Sequence, residues 1–381
     1  MENLYLDHAA TTPMDPRVIE AMTASMPKIF GNPSSIHAFG RQAHQALEES
    51  RRVVAAALDV SPAEIIFTSG GTEGDNTAIF GIARSRAQAG RHIITTAIEH
   101  PAVLEPLKRL EREGFEVTYL PVDPHGQIRL QDVKDALRED TTLVTIMSVN
   151  NEVGTILPIR EIGALLANHP AVFHTDAVQS FGIQTVHPKE LKVDLLNVSA
   201  HKFNGPKGVG FLYKRKGLRL PSMMVGGEQE EYRRAGTENL ISIIGMAKAV
   251  ALHSDEQKAA QTVQMASSRR QFLTALDAAD VSYAVHGDPA RQVPHILNLR
   301  FPGINNQLLL MRLDLRGVAV STGSACTAGT VEPSHVLAAM FGTNAPELSE
   351  SIRISLGYGI GEKEVAQAAC ILIEELNNLK K

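Results

Sequence analysis

The architecture of this chain follows from the stretch Glu64-Ile-Ile-Phe67-Thr-Ser-Gly-Gly-Thr72, which joins a short apolar run to a pair of glycines. Residues 64–67 predict a buried strand, the glycines predict a tight turn, and residues 73–89 predict a helix. A strand that enters a helix N-terminus through small residues presents free backbone N–H groups and the positive end of the helix dipole at one place. The stretch therefore predicts both an α/β unit and an anion site at Gly71 and Thr72.

The alternation of strand and helix continues along the chain. Apolar runs of strand length recur as far as residue 213, and helical stretches separate several of them. We predict seven strands, at residues 64–67, 91–96, 115–121, 143–148, 172–175, 193–198 and 209–213. Strands that alternate with helices form a mostly parallel sheet with helices on both faces, so we expect an α/β fold.

Length and composition favour one large and one smaller domain. The 381 residues exceed one typical core, and 44% hydrophobic residues are enough to make the chain globular. Further strands are predicted at residues 282–285, 296–300, 318–321 and 351–355. With the polar run at 254–258 as the boundary, we predict a large domain at residues 15–257 and a smaller α/β domain built from residues 1–14 and 258–381.

Charge and cysteine content argue against several classes of protein. Lys and Arg number 37 against 42 Asp and Glu, and the resulting charge of -5 gives no sign of the basic face that nucleic-acid binding needs. Two cysteines, Cys326 and Cys370, cannot supply a disulfide framework or a metal site of paired cysteines. The sequence shows neither a signal peptide nor an apolar run of membrane-spanning length. We therefore expect a cytoplasmic enzyme without a metal, a membrane or direct contact with nucleic acid.

Polar residues follow the predicted strands at the edge where α/β sheets bind ligands. Gly70, His100, Asn151, Asp176 and Lys202 each lie just beyond the carboxyl end of a strand in this prediction. A lysine at such an edge becomes a nucleophile when its surroundings lower its pKa, so Lys202 is a candidate Schiff-base lysine. Taken alone, it could also be an ordinary solvated surface lysine.

Five motifs, in this order and spacing, resemble those of the cysteine desulfurases. They are Thr-Ser-Gly-Gly-Thr72-Glu, Asn-Asn151-Glu-Val-Gly, His-Thr-Asp176-Ala-Val-Gln-Ser, Ser-Ala-His-Lys202 and Ser-Thr-Gly-Ser-Ala-Cys326-Thr-Ala-Gly. The resemblance is to the group whose persulfide cysteine follows Gly-Ser-Ala, in the class V branch of the fold-type I pyridoxal-phosphate enzymes. It extends from Tyr5 to Gly357 and implies a large domain with a mostly parallel seven-stranded sheet flanked by helices, plus a smaller α/β domain.

The resemblance implies how the ring of pyridoxal 5'-phosphate is held. Lys202 would bind the cofactor covalently, and Asp176 would face the ring nitrogen, which must stay protonated for the ring to draw electrons. Gln179 would donate a hydrogen bond to the phenolate oxygen, and Asn151 would contact both the ring and the substrate. His100 would stack on the ring and relay protons, because an imidazole has a flat face and a pKa near neutrality.

The cofactor phosphate is implied to bind a cluster of donors. These are Gly71, Thr72, Ser199, His201 and, from the neighbouring subunit, Thr237. The resemblance therefore implies a homodimer. Many relatives have a third glycine where this chain has Glu228 after Gly226-Gly227, a departure that leaves Thr237 in register.

Cys326 determines the predicted reaction. The small residues around it predict an exposed loop, from which a thiolate could attack the sulfur of L-cysteine and leave alanine and an enzyme persulfide. Arg353 is implied to clamp the substrate carboxylate, although a salt bridge within the small domain is an alternative. Cys370 lies in an apolar helical stretch, 365–376, where we predict a small buried hydrophobe.

The resemblance implies that sulfur passes on to an acceptor protein, either an iron-sulfur scaffold or a tRNA-thiolating enzyme. A class V aminotransferase of the serine-pyruvate or phosphoserine type would share Lys202 and Asp176 but has no use for Cys326. Selenocysteine lyase activity is a close variant of the same reaction. A scaffold without catalytic activity would be expected to lack Lys202 or Cys326, and both are present.

Overall fold

The computed structural model describes residues 3–323 and 333–379. In chain order the strands are β1 (Leu4–Tyr5), β2 (Ile65–Thr68), β3 (His92–Thr96), β4 (Glu116–Leu120), β5 (Thr141–Thr145), β6 (Val172–Asp176), β7 (Leu195–Ser199), β8 (Gly210–Lys214), β9 (Ala284–His286), β10 (Ile296–Arg300), β11 (Val318–Ala319) and β12 (Ser351–Ser355).

The helices of the described residues surround these strands. They are α1 (Pro16–Ser25), α2 (Ala38–Ala57), α3 (Gly71–Ser85), α4 (Pro101–Arg112), α5 (Leu130–Ala136), α6 (Ile159–Leu165), α7 (Pro188–Leu191), α8 (Gln229–Tyr232), α9 (Leu240–Ala251), α10 (Asp255–Ala278), α11 (Asn306–Leu315), α12 (His335–Phe341), α13 (Glu347–Glu350) and α14 (Glu362–Leu379). Within the described ranges, no helix combines the length and the apolar character that crossing a membrane requires.

The largest sheet confirms the predicted seven strands and their mostly parallel arrangement. Its strand order is β2-β8-β7-β6-β5-β3-β4. The pairs from β7 to β4 are parallel, whereas β8 runs antiparallel to both β2 and β7. The carboxyl ends of the parallel strands therefore meet at one edge of the sheet.

Helices cover both faces of this sheet because its strands are apolar on both sides. Ile66, Ile93 and Leu143 pack in one cluster with residues of α3 and α4. Ile65 and Phe173 belong to the opposite cluster, which includes residues of α1, α2 and α9. A strand buried on both faces reads as a continuous apolar run, and such runs were the basis of the strand predictions.

The first residues of the chain pack with its last third. Strand β1 pairs in parallel with β11, and β10 lies between β9 and β12 in an antiparallel sheet. Leu6, Phe272 and Ile354 share one apolar core beside this sheet. The division of the chain near residue 257 stays a prediction, and α10 runs through that position.

The prediction that Cys370 is buried is wrong. Its side chain is exposed on α14, although Ala369 and Ile371 on either side are buried. Successive helical residues point in different directions, so Cys370 shares the outward face with Glu374, one turn later. Its Sγ donates a hydrogen bond to that carboxylate over 3.6 Å.

Candidate active site

A cavity of about 550 Å³ lies at the carboxyl ends of the central strands, in the size range of small-molecule sites. Most of the predicted site residues line it: Gly71, Thr72, His100, Asn151, Asp176, Gln179, Ser199, His201, Lys202 and Arg353. Thr237 instead lines a separate pocket with Glu230 and Arg234. Cys326 lies outside the described residues, so the structure says nothing about its position.

Lys202 projects from the turn that follows β7 into the cavity. Its Nζ donates to the carbonyl oxygens of Ala9 at 2.6 Å and Ala10 at 2.9 Å, and Gln179 Nε2 also donates to the Ala9 oxygen at 2.9 Å. Burial, with the positive charge of Arg353, lowers the pKa of Lys202 to about 8. Roughly a tenth of the amine is then neutral at about pH 7, far more than for an ordinary lysine.

Asp176 is the last residue of β6 and is 6% exposed. Its Oδ1 accepts a hydrogen bond from the Val178 N–H at 2.9 Å. Burial raises its pKa to about 6, while that hydrogen bond and the charge of Lys202 oppose the rise. A buried carboxylate of this kind is stabilised by a cationic partner, and a protonated pyridine nitrogen would be one.

Further buried acidic groups surround Asp176, and the sequence analysis missed them. Asp75 Oδ1 accepts from Asn197 Nδ2 at 3.0 Å, while its Oδ2 lacks a hydrogen-bond partner among the described residues. Burial and the nearby Asp176 raise the pKa of Asp75. Glu99 is also buried, and burial raises its pKa to about 8. The sequence did contain a signal that Asp75 is buried, because Asp75 lies on the same face of α3 as the buried Ile79.

His100 caps the N-terminus of α4 and lines the cavity. Its Nδ1 accepts a hydrogen bond from the Ala102 N–H at 3.1 Å, so in the neutral ring Nε2 carries the proton. Loss of water around the ring lowers its pKa to about 4, and the charges of Lys202 and His335 lower it further. The residue as a whole is exposed, so solvent opposes part of this shift. Because its pKa is lowered from the ordinary value of a histidine, His100 is neutral at about pH 7.

The N-terminus of α3 forms a cradle for an anion. Gly70, with a φ of +144°, ends the turn, and the N–H groups of Gly71 and Thr72 have no acceptor within the helix. Ser199 ends the neighbouring β7, and its hydroxyl would lie 3.3 Å from a Cβ placed on Gly70. His201 Nδ1 lies 3.1 Å from the Thr11 hydroxyl, and burial lowers the pKa of this histidine to about 4.

Arg353 lies on β12 and is 4% exposed. Its Nη1 donates to the backbone oxygen of Asn151 at 3.0 Å, and Nη2 donates to Asp7 Oδ1 at 2.6 Å. Nε is buried and finds no partner within residues 3–323 and 333–379. The salt bridge that the sequence left open therefore exists, with Asp7 as the partner. A ligand carboxylate would compete with Asp7 for the same guanidinium.

Comparison with known proteins gives concordant results over nearly the whole chain. The sequence model of the aminotransferase class-V family matches residues 4–367. A protein of Bacillus subtilis (strain 168), provisionally named cysteine desulfurase IscS 1, is 53% identical over 97% of each chain. The cysteine desulfurase IscS of Dictyoglomus turgidum (strain DSM 6724 / Z-1310) is 48% identical over 99% of this chain and 95% of its own. A solved structure described as a NifS-like protein has a TM-score of 0.92 and 36% identity, and covers 99% of this chain and 100% of its own.

Proposed function

Because the chain belongs to the aminotransferase class-V family and is a cysteine desulfurase, we propose that it binds pyridoxal 5'-phosphate at Lys202 and passes the sulfur of L-cysteine to Cys326. Enzymes of this family depend on that cofactor. The observation that carries the proposal is a lysine of lowered pKa in one cavity with the buried carboxyl group of Asp176.

The residues of the cavity fit the cofactor. Asp176 supplies a buried carboxylate for a protonated ring nitrogen, and the α3 N-terminus with Ser199 and His201 supplies donors for a phosphate. Binding of a dianion beside His201 would offset the burial that now lowers the pKa of this ring. Once bound, the cofactor supplies an electron sink for the carbon skeleton of the substrate.

Lys202 and His100 are the groups placed to move protons. The lowered pKa of Lys202 lets its free amine accept a proton from the α-carbon of the substrate. His100 keeps its Nδ1 on the α4 backbone, so its Nε2–H is the donor available to the cavity. The two groups therefore have different roles, a base at Lys202 and a neutral donor at His100.

Arg353 binds the substrate carboxylate in this proposal. Its guanidinium is already held by Asn151 and Asp7, and its unpaired Nε offers a further donor. A carboxylate that replaces Asp7 would gain a two-point contact and fix the orientation of the Cβ–Sγ bond. Asn151 lines the same cavity, where it would contact both cofactor and substrate.

The sulfur step balances without an outside oxidant. The Cys326 thiolate forms a bond to the substrate Sγ, and the Cβ–Sγ bond breaks with its electron pair left on the carbon fragment. A proton then adds at Cβ, so L-cysteine and one thiol become L-alanine and one persulfide. An acceptor protein, such as an iron-sulfur scaffold or a tRNA-thiolating enzyme, removes the persulfide sulfur.

We also propose a homodimer in which Thr237 serves the phosphate of the neighbouring subunit. Thr237 does not line the cavity of its own subunit, but Arg234 beside it pairs with Glu73 in the first turn of α3. Exposed Phe30 and Phe39, whose ring centroids are 5.1 Å apart, supply apolar surface for a subunit contact.

Incubation of the purified holoenzyme with L-cysteine tests the proposal. We expect equal amounts of alanine and sulfide when a thiol reductant is present. Lys202→Ala should abolish the absorption of the lysine-linked cofactor, and Cys326→Ala should abolish alanine formation while that absorption remains. Transfer of the amino group to a 2-oxo acid, with no sulfide released, would instead indicate an aminotransferase.

A further inference from the structure

Three consecutive residues of α8 have a left-handed backbone, although none of them is a glycine. Glu230, Glu231 and Tyr232 have φ angles of +49°, +55° and +63°. A residue with a side chain adopts this conformation at a cost in free energy, so a run of three persists only where other contacts impose it. Two side chains of the segment 230–234 make such contacts.

Glu230 makes the first contact, with the strand that leads into the anion cradle. Its carboxylate is buried and accepts hydrogen bonds from Arg51 Nη1 and Nη2, both at 2.7 Å. Its Oε2 also accepts from the Phe67 N–H at 3.0 Å. Arg51 in turn donates to the backbone oxygen of Ile65 at 3.1 Å. Glu230 is therefore bound to β2 just before the turn at residues 68–72.

Arg234 makes the second contact, on the other side of the same turn. Its Nε and Nη2 donate to the two carboxylate oxygens of Glu73 at 2.9 and 3.2 Å. Glu73 Oε2 also accepts from the Ser69 N–H at 2.8 Å, so this carboxylate connects the start of α3 with the turn. Although burial opposes the change, these hydrogen bonds lower the pKa of Glu73, which is ionised at about pH 7.

The segment 230–234 thus holds the turn 68–72 at both ends. The turn presents the N–H groups of Gly71 and Thr72, whose direction decides how well they meet an anion. A two-point contact between a guanidinium and a carboxylate fixes orientation as well as distance. Glu230 and Arg234 line the pocket beside the turn and are not among the described residues that line the cavity of Lys202.

We propose that Glu230 and Arg234 are positioning residues for the cofactor phosphate, because they hold both ends of the turn whose N–H groups would bind it. The inference rests on the proposed binding of pyridoxal 5'-phosphate at this site. The left-handed backbone of residues 230–232 fits this role, since such strain persists where the surrounding contacts impose one geometry. The two residues act on the phosphate and leave the reaction of the aldehyde with Lys202 unchanged.

The test compares two probes that differ only in the phosphate group, pyridoxal 5'-phosphate and pyridoxal. Each probe is titrated into the apoprotein, and the absorption of the lysine-linked form gives its affinity. The ratio of the two affinities reports the contribution of the phosphate. For Arg234→Ala we expect this ratio to fall roughly 10-fold, about the loss of one hydrogen bond to a charged group, while the affinity for pyridoxal stays at the parent value.

Glu73→Ala separates positioning from charge. The substitution removes a negative charge beside the anion cradle, so electrostatics alone would tighten phosphate binding. It also removes the partner of Arg234 and the acceptor of the Ser69 N–H, so our proposal predicts a lower ratio. Glu230→Gln, which takes the ionic partner from Arg51, should lower the ratio as well. Glu73→Ala decides the matter if Glu230→Gln does not fold.

Two controls accompany these variants. Glu375→Gln breaks a buried carboxylate contact of 2.6 Å with Arg312 on another part of the molecule, and it should keep the parent ratio. Each substitution is also combined with Thr237→Val, because the segment 230–234 leads to Thr237 and its proposed contact with the neighbouring subunit. The ratio should fall in that background too.

Several results would overturn the inference alone. They are a parent ratio in Arg234→Ala and Glu73→Ala, a higher ratio in Glu73→Ala, an equal loss of affinity for both probes, an equal fall in Glu375→Gln, and a fall that disappears when Thr237→Val is present. If the parent apoprotein binds pyridoxal 5'-phosphate no more tightly than pyridoxal, the proposed phosphate site itself is wrong. This result is visible before any variant is compared.

Discussion

Lys202 shows how single residues set the chemistry of this site. Burial and Arg353 together lower its pKa to about 8, so the amine becomes fully neutral only above that pH. We expect the rate at which added pyridoxal phosphate attaches to the apoprotein to rise with pH through about 8. Arg353→Gln removes a repelling charge, so the midpoint should move to higher pH. Absorbance measured after mixing gives both midpoints, and identical midpoints would refute the role of Arg353.

Asp176 should lower the stability of the folded apoprotein while it supports activity. Its folded pKa of about 6 lies above the ordinary value of 3.8, so the ionised carboxylate destabilises the folded apoprotein above about pH 6, and this penalty vanishes below the ordinary pKa. Asp176→Asn should therefore unfold at higher urea concentration than the parent above about pH 6, with the difference disappearing towards about pH 4.

The activity of the same variant should fall. Without a carboxylate at the ring nitrogen, alanine formation should drop by roughly 100-fold or more, the scale at which one preorganised electrostatic contact acts. Asp140→Asn, which removes an exposed carboxylate far from the cavity, is the matched control. Equal activity of Asp176→Asn and the parent would contradict the assignment.

At the scale of elements, the N-terminus of α3 is the feature with the most specific consequence. Gly70→Ala strains a φ of +144° and places a Cβ 3.3 Å from the Ser199 hydroxyl, so we expect weaker binding of pyridoxal phosphate. Gly217→Ala strains a φ of +82° with no atom within 4 Å. Both variants should lose about 1 kcal/mol of stability, but only Gly70→Ala should lose cofactor affinity in a titration. Equal affinities would refute an anion site here.

Helices and strands were predictable from the sequence where their apolar residues follow a clear local pattern. In α2, which begins after His37 and ends at Ala57, the apolar residues Ala43, Leu47 and Val54 recur at helical spacing and are all buried. Helix α11 was not predicted, because it is apolar on several sides and exposes Leu308, Met311 and Leu315. Strand β5 begins two residues before its predicted start, since buried Thr141 and Thr142 looked polar in sequence.

At the scale of the whole molecule, the sequence predicted those site residues that lie at the carboxyl ends of strands. His100, Asp176 and Lys202 could be placed together because parallel strands end at one edge. The pair formed by Asp7 and Arg353 could not, because it joins residues at opposite ends of the chain. The same holds for the contact of Glu152 with Ser334. Such contacts arise only when distant segments fold together, and no local periodicity encodes them.

The proposed homodimer leads to a prediction that can be tested only with two subunits together. Thr237→Glu should repel the phosphate of the neighbouring site, and Lys202→Ala should inactivate its own. A dimer of one subunit of each kind contains one intact site, so mixing and reassembling the two inactive variants should restore alanine formation. Lys202→Ala mixed with Asp176→Asn is the control. Each of these substitutions damages the site of the subunit that carries it, so the mixed dimer contains no intact site. If the first mixture forms no alanine, Thr237 does not act across subunits.

The sulfur itself provides the most direct test of the central claim. The holoenzyme is mixed with L-cysteine in the absence of reductant, alkylated, digested and analysed by mass spectrometry. Our account predicts one additional sulfur atom on Cys326, none on Cys370, and one alanine for each sulfur bound. Additional sulfur on Cys370 alone, or alanine formed at the parent rate by Cys326→Ala, would contradict it.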